Sequence, residues 1–238
     1  KTTLAKHHFP NHNYVNLENI ALRQLAKTDP VEFFHQHRCP IILDEIQLVP
    51  ELYRALKSSI DQKRMTSGGK LTGVYILTGS TNILALPKLS DALVGRMIIK
   101  TLYPLSAAEI HKGKGDFIAR LRQGKFASGT VPKFDLVSTM QKATFPEIRN
   151  ADDAGRADWF RSYISTLIQR DVQHIMDIEK STLLPQLLRL LASRVGGLLN
   201  EADLARSVKE NAVTTKRYRT ILDLLFLTLI VPPWFRNI

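Results

Sequence analysis

Four short apolar runs, separated by stretches of helical pattern, set the architecture of the first half of this chain. They are YVNLEN at 14–19, PIILDE at 40–45, GVYILTGS at 73–80 and RMIIKTLY at 96–103. Each is close to continuous in apolar residues, as a strand covered on both faces must be. Helical pattern fills residues 20–37 and begins again at Pro50-Glu51-Leu52-Tyr53, where the proline suits a first turn. Strands and helices in alternation predict a parallel α/β sheet. At 238 residues and 44% hydrophobic content, the chain can bury a sizeable core.

The pattern changes along the second half. Residues 111–133 are basic, poorly periodic and contain four glycines, which predicts a connector. Trp159, Phe160, Tyr163, Ile164, Leu167, Ile168, Val172, Ile175 and Met176 recur at three- and four-residue spacing, the signature of one long amphipathic helix. STLLPQLLRLLASRVGGLLN at 181–200 predicts a second helix, with Pro185 in its first turn and Gly196-Gly197 at its stop. Asn200 should cap a short helix through EADLARSVK, followed by a turn at ENAV and a helix from about 214 to 225. Two short helices joined by a tight turn, the second rich in Lys and Arg, form a helix-turn-helix pattern. The expected division is therefore an α/β domain at 1–110, a connector at 111–150 and a helical domain at 151–238. The longest apolar run, residues 221–235, carries Asp223 and falls short of the about 20 residues that cross a bilayer, so it is expected in a core.

The net charge of +11 points to a polyanionic partner: nucleic acid, nucleotide phosphate or an anionic membrane surface. A single cysteine, Cys39, excludes an internal disulfide framework and fits a reducing cytoplasm.

The chemistry-bearing residues gather at predicted strand ends. Asp44-Glu45 closes an apolar strand, which places two carboxylates at the carboxyl edge of the sheet, where α/β proteins bind ligands. One carboxylate can hold a hydrated Mg²⁺ and its neighbour can polarise water; the pair can equally end a strand in solvent. Lys1-Thr2, about 40 residues upstream, has the order of the last two positions of a phosphate-binding loop, in which the Lys meets the β- and γ-phosphates and the hydroxyl meets Mg²⁺. The chain begins without Met and without the glycines of such a loop, so its start is expected to be a cut. A third strand ends Leu77-Thr78-Gly79-Ser80-Thr81-Asn82, whose hydroxyl and amide groups can contact a γ-phosphate, orient water or form a polar turn. Arg96, after Gly95, can stabilise charge in phosphoryl transfer or lie solvated on the surface. Pro10 interrupts any helix that would bring His7, His8 and His12 onto one face, and no Cys or carboxylate is close in sequence, so a metal site is not expected there.

In this order, KTTLAK, YVNLEN, DPVEFF, PIILDEIQLVPEL, YILTGSTN and LVGRMIIKTLYPLSAAEI resemble the AAA-type ATP-binding domain of a widespread bacterial and archaeal family of P-loop ATPases. WFRSYISTLIQRDVQHIMDI, LLRLLASRVGGLLN, LARSV and the closing IVPPWFRNI resemble that family's C-terminal domain of unknown function. The resemblance implies ATP and Mg²⁺ as ligands, Lys1 and Thr2 as the end of Walker A, and Asp44 and Glu45 as Walker B with Glu45 as base. It further implies a sensor role for Ser80 or Asn82, and Arg96 as a finger reaching a neighbouring copy's nucleotide in a homo-oligomer. It also implies a winged helix whose recognition helix begins at Thr214, Thr215, Lys216, Arg217 and Arg219 and contacts DNA or a protein. Residues 201–238 are only mildly basic, with six Lys and Arg against four Asp and Glu. Members of the family carry the glycine-rich part of Walker A, a strand before it lying between the 73–80 and 96–103 strands, and a further region beyond the equivalent of Ile238. The expectation is thus a fragment that hydrolyses ATP poorly, with two strands that pair with each other or leave apolar edges open.

Overall fold

The computed structural model describes residues 1–68, 72–80, 93–112, 117–125, 136–141, 144–172 and 182–232. Residues 1–98 and 166–238 cluster as one compact unit and residues 99–165 as another.

Among the described residues three strands, β1 (Asn13–Asn16), β2 (Ile41–Asp44) and β3 (Tyr75–Leu77), form a parallel sheet in the order β1-β2-β3. Helix α1 (Thr2–His8) precedes β1, α2 (Ile20–Thr28) and α3 (Pro30–Gln36) join β1 to β2, and α4 (Leu52–Thr66) joins β2 to β3. The helical pattern at 20–37 is divided because Pro30 has no N–H to continue a ladder. Asp29 ends α2 and accepts from the Glu32 amide at 2.9 Å, which starts α3 afresh. Asn19 caps α2 in the same way, accepting from the Ala21 and Leu22 amides.

Successive strand residues point to opposite faces. Val15, Ile41 and Leu43 enter a core with Leu17, Ala26, Phe33, Leu52, Tyr53 and Leu56, all buried. Ile42 and Asp44 therefore share the other face of β2, which α1 covers. Leu93 joins the first core, but the predicted strand at 96–103 does not form, and Ile98 is 86% exposed. A strand needs a neighbour to pair its backbone groups, and among the described residues β3 pairs with β2 alone.

In the unit of residues 99–165, the described residues form the helices α5 (Ala107–Ile110), α6 (Phe117–Arg122) and α7 (Leu136–Gln141), and α8 (Asp153–Thr166) closes it. Phe145 lies among the rings of Trp159, Phe160 and Tyr163 on α8, and Trp159 stacks on Tyr163 at 4.8 Å, so the predicted apolar periodicity serves an aromatic cluster. The long helix expected to run on to Met176 changes to a π-helical turn at Leu167–Asp171, and its last part lies outside the described residues.

Further along, α9 (Leu183–Ala192), α10 (Glu201–Val208) and α11 (Ala212–Leu224) pack on one another around Leu184, Leu187, Leu204, Ile221 and Leu222. Helix α9 ends at Ala192, before Gly196, which takes φ 80° in the turn that follows. Asn200 caps α10 and Asn211 caps α11, the latter accepting from the Thr214 amide at 2.7 Å. After α11, the described residues form a turn and then no regular secondary structure. No helix among the described residues is long and apolar enough to cross a membrane.

Candidate active site

The register fixes where the site lies. Asn16 stands opposite Asp44, and Leu43 opposite Leu77, so the three strands end together. The ladder continues past them: Leu17 N–H donates to Asp44 O (3.1 Å), Thr78 N–H to Leu43 O (3.0 Å) and Ile46 N–H to Thr78 O (3.1 Å). This backbone frame holds the first loop residues at the carboxyl edge, where the sheet opens.

Asp44 is 4% exposed and accepts from three hydroxyls. Thr2 Oγ1 and Tyr14 Oη each donate to Oδ2 at 2.7 Å, and Thr78 Oγ1 donates to Oδ1. Burial pushes the Asp44 carboxyl pKa up, but the hydroxyls of Thr78, Tyr14 and Thr2 and the charge of Lys1 outweigh it, and the net result lies below the ordinary carboxylate value. The carboxylate is thus charged and held by neutral donors. Tyr14 is its counterpart: burial, then the bond to Asp44 and nearby negative charges, raise the phenol pKa, so its O–H persists as a donor. The Lys6 ammonium sits 3.5 Å from the Tyr14 ring centroid and steadies the ring.

Glu45 takes a left-handed backbone conformation, φ 57° and ψ 45°, which a residue with a Cβ rarely adopts. It turns the chain from β2 into the 3-10 turn Ile46–Leu48. Its carboxylate accepts from Gln47 Nε2, which also donates to Ser80 Oγ at 3.0 Å. Lys1 Nζ donates to Gly79 O at 2.5 Å. Hydrogen bonds thus tie Lys1 and Thr2 of one segment, Asp44 and Glu45 of the second, and Ser80 of the third to one sheet edge. Asn82 lies outside the described residues.

The remaining predicted residues stand elsewhere. Arg96 makes a two-point ion pair with Asp61 on α4, at 2.7 and 3.0 Å, and donates to Val94 O at 3.2 Å. On α11, Thr215 is wholly buried and its hydroxyl donates to Asn211 O at 2.9 Å. Arg219 is also buried, donating to Glu201 Oε1 and Asp223 Oδ2, each at 2.8 Å. The expectation that Thr215 and Arg219 contact nucleic acid is corrected on this ground: packing and ion pairing hold both inside, which leaves Lys216 and Arg217 exposed and Thr214 half-buried.

Two site residues, Tyr14 and Gln47, had no role expected from the sequence, and Thr78 was expected only as one hydroxyl of the polar strand end. Tyr14 and Thr78 carry a weak signal, as hydroxyl-bearing residues in or just after strands that end in polar groups. Gln47 is the polar residue inside the apolar turn IQLV.

The arrangement suits a hard divalent cation, since Asp44 and Thr2 present oxygen atoms side by side. Among the described residues no three His, Cys, Asp or Glu assemble into a metal cage. Mg²⁺ commonly uses one or two carboxylates, waters and substrate phosphates instead of a full protein cage, so the donor set fits that ion.

Residues 1–111 match the AAA domain family, and residues 134–238 match a domain of unknown function, DUF8612. Uncharacterized proteins of Mycobacterium bovis and Mycobacterium tuberculosis are each 25% identical over 198 residues, covering 83% of this chain and 39% of theirs. An uncharacterized protein of Haemophilus influenzae is 24% identical over 226 residues, covering 89% of this chain and 51% of its own. The chain spans about half the length of these relatives, or less. No solved structure matches it. Residues 1–111 are thus similar to an AAA domain, whose P-loop-like fold is consistent with the parallel sheet and its polar strand ends, and residues 134–238 are similar to a domain of unknown function.

Proposed function

We propose that the AAA-type region binds ATP with Mg²⁺ and hydrolyses it. The observation that carries the reading is the pair formed by the buried Asp44 carboxylate and the Thr2 hydroxyl, 2.7 Å apart at the carboxyl end of β2. These two residues would hold Mg²⁺, which when bound neutralises phosphate charge. Lys1 meets the phosphates with its ammonium. Glu45 orients a water and accepts its proton as the water oxygen bonds to the γ-phosphorus and the bond to the β-phosphate oxygen breaks, releasing ADP and phosphate. Ser80 lies within the same hydrogen-bonded group, where its hydroxyl can face the γ-phosphate.

The test is nucleotide binding and turnover by the full-length polypeptide. Asp44→Asn is expected to remove the gain in ATP affinity that Mg²⁺ confers, by about 100-fold. Glu45→Gln is expected to leave affinity unchanged and lower kcat by about 10²- to 10³-fold. Mg²⁺-dependent binding that survives Asp44→Asn would sink the reading.

Arg96 acting on the nucleotide of a second copy is the finger version of this proposal, and it requires the pair with Asp61 to open. Asp61→Asn should then raise turnover at concentrations where copies associate; no concentration dependence in either protein counts against it.

A second reading, a winged-helix module for DNA or protein, draws support from the α10-turn-α11 unit and from Lys216 and Arg217, exposed near the start of α11. Two phosphate contacts would give a salt slope of about 2 on duplex DNA, and loss of that slope in the double alanine variant is the expected result.

A further inference from the structure

We propose that Gln47 is a positioning residue that links the polar end of β3 to the water-activating carboxylate, so that a terminal phosphate met by Ser80 is reported to Glu45. This rests on the ATPase reading above and adds to it a residue and a role.

Gln47 is only 9% exposed, a costly place for a primary amide unless its hydrogen bonds are made. Its Nε2 group makes two, to Glu45 Oε2 and to Ser80 Oγ. The carboxylate decides which way the amide lies, because the opposite flip would set Oε1 against a carboxylate oxygen. That orientation leaves Gln47 Oε1 buried with no hydrogen-bond partner among the described residues. A purely structural glutamine would be expected to use both ends. Here one end is committed to Glu45 and Ser80 and the other is left unsatisfied.

The amide is also anchored. Ile46 is buried, with its N–H bonded to Thr78 O (3.1 Å), and Leu48 N–H reaches Glu45 O (3.0 Å), so the 3-10 turn cannot drift from the sheet edge. Glu45 itself sits in the left-handed region at φ 57°, a strained conformation of the kind that persists where surrounding structure enforces it, and such positions cluster at working sites. Ser80 Oγ accepts from Gln47, which leaves its own O–H to donate. An anionic phosphate oxygen is the acceptor that proton fits. With the phosphate present, the Ser80 oxygen is fixed, Gln47 is fixed by it, and the Glu45 carboxylate is held where it can take a proton.

Gln47→Met keeps the length and burial of the side chain and removes both amide bonds. The experiment measures dissociation constants of a non-hydrolysable ATP analogue and of ADP, each with Mg²⁺, together with kcat and KM, on the full-length polypeptide. The wild type is expected to prefer the ATP analogue; in Gln47→Met that preference should fall by about fivefold or more, and kcat by about tenfold or more at little-changed KM. Ser80→Ala should reproduce both losses, and the double variant should be no worse than either single, as expected of residues in one relay. An unchanged preference and kcat in Gln47→Met would overturn the inference, as would losses that multiply in the double variant. If Gln47→Met unfolds, Ser80→Ala probes the same relay from a half-buried position, and a wild-type preference there overturns it alone. A wild-type protein that binds neither nucleotide would refute the ATPase reading itself, an outcome distinct from both.

Discussion

Asp44 and Arg219 are the two buried charges whose surroundings can be compared directly, at 4% and 7% exposure. Arg219 is met by two carboxylates, Glu201 and Asp223, which offset its charge where it stands. Asp44 is met by the neutral hydroxyls of Thr2, Tyr14 and Thr78, which satisfy its lone pairs without cancelling its charge. A carboxylate bound this way remains attractive to a cation; an arginine between two carboxylates ties α10 to α11. Among the described residues each region also buries an oxygen without a hydrogen-bond partner, Gln47 Oε1 and Glu201 Oε2. The second belongs to a carboxylate whose other oxygen holds Arg219, whereas the first has no compensating charge nearby on its own side chain. Burial alone therefore does not mark a site, and the kind of partner does.

The sharpest way to break this comparison is to remove the two charges in turn. Arg219→Ala leaves two carboxylates facing each other between α10 and α11, and should cost about 3 kcal/mol, the low end for a broken buried pair because Glu201 and Asp223 are partly exposed. Asp44→Asn keeps an oxygen able to accept from two of its hydroxyls and should cost about 1 kcal/mol. Urea unfolding of both variants measures the order. If Asp44→Asn proves the more damaging, Asp44 is the strut.

Proton linkage sharpens the same point with a smaller effect. The Asp44 pKa lies below its ordinary value in the folded state, so the unfolded chain binds more protons as the pH drops below about 4. The stability that Asp44 contributes is therefore present above that range and is lost as the pH falls through the folded value. Asp44→Asn should flatten the acid limb of the stability curve relative to wild type, measured by urea midpoints from pH 6 downward. An unchanged slope would mean that the hydroxyls do not favour the charged form.

Much of the sheet and its edge was legible in the sequence, because apolar runs ending in polar residues specify both a strand and the end that carries chemistry. Lys1, Thr2, Asp44, Glu45 and Ser80 come together for that reason. What failed depended on partners that one run cannot show. RMIIKTLY has a strand's composition, yet no strand pairs with it among the described residues. The helical pattern over 20–37 ran through Pro30, where a missing N–H divided it. Tyr14 and Gln47 were missed because their roles come from cross-strand register and from the turn that Glu45 makes, not from spacing along the chain. Arg219 was expected on a surface because it stands in a basic run; the carboxylates that draw it inward are 18 residues upstream and 4 downstream.

The helical region offers the next smaller effect, through the caps that place α10 against α11. Asn211 accepts from the Thr214 amide and its own carbonyl accepts from the buried Thr215 hydroxyl. Asn211→Ala should cost about 1 kcal/mol in chemical unfolding, and Asn211→Gly only a few tenths. Equal losses for the two would show that the side chain contributes little as a cap, and would shift weight to the Arg219 ion pairs as what holds the two helices together.

The smallest expected effect tests the exposed cations. Lys216 and Arg217 lie on the solvent side of α11, opposite in character to Arg219 two and three residues away. Their replacement by Ala should change stability by less than about 0.5 kcal/mol, as for surface positions generally. Whether they also contact phosphate is a separate question. Anisotropy with duplex DNA across a salt series separates the possibilities: a slope that falls by about 1 for each cation removed assigns both to phosphate contacts. A slope that does not move would leave α11 with one buried arginine serving its packing and two exposed cations that meet no phosphate, which would make the sheet edge the working part of this unit.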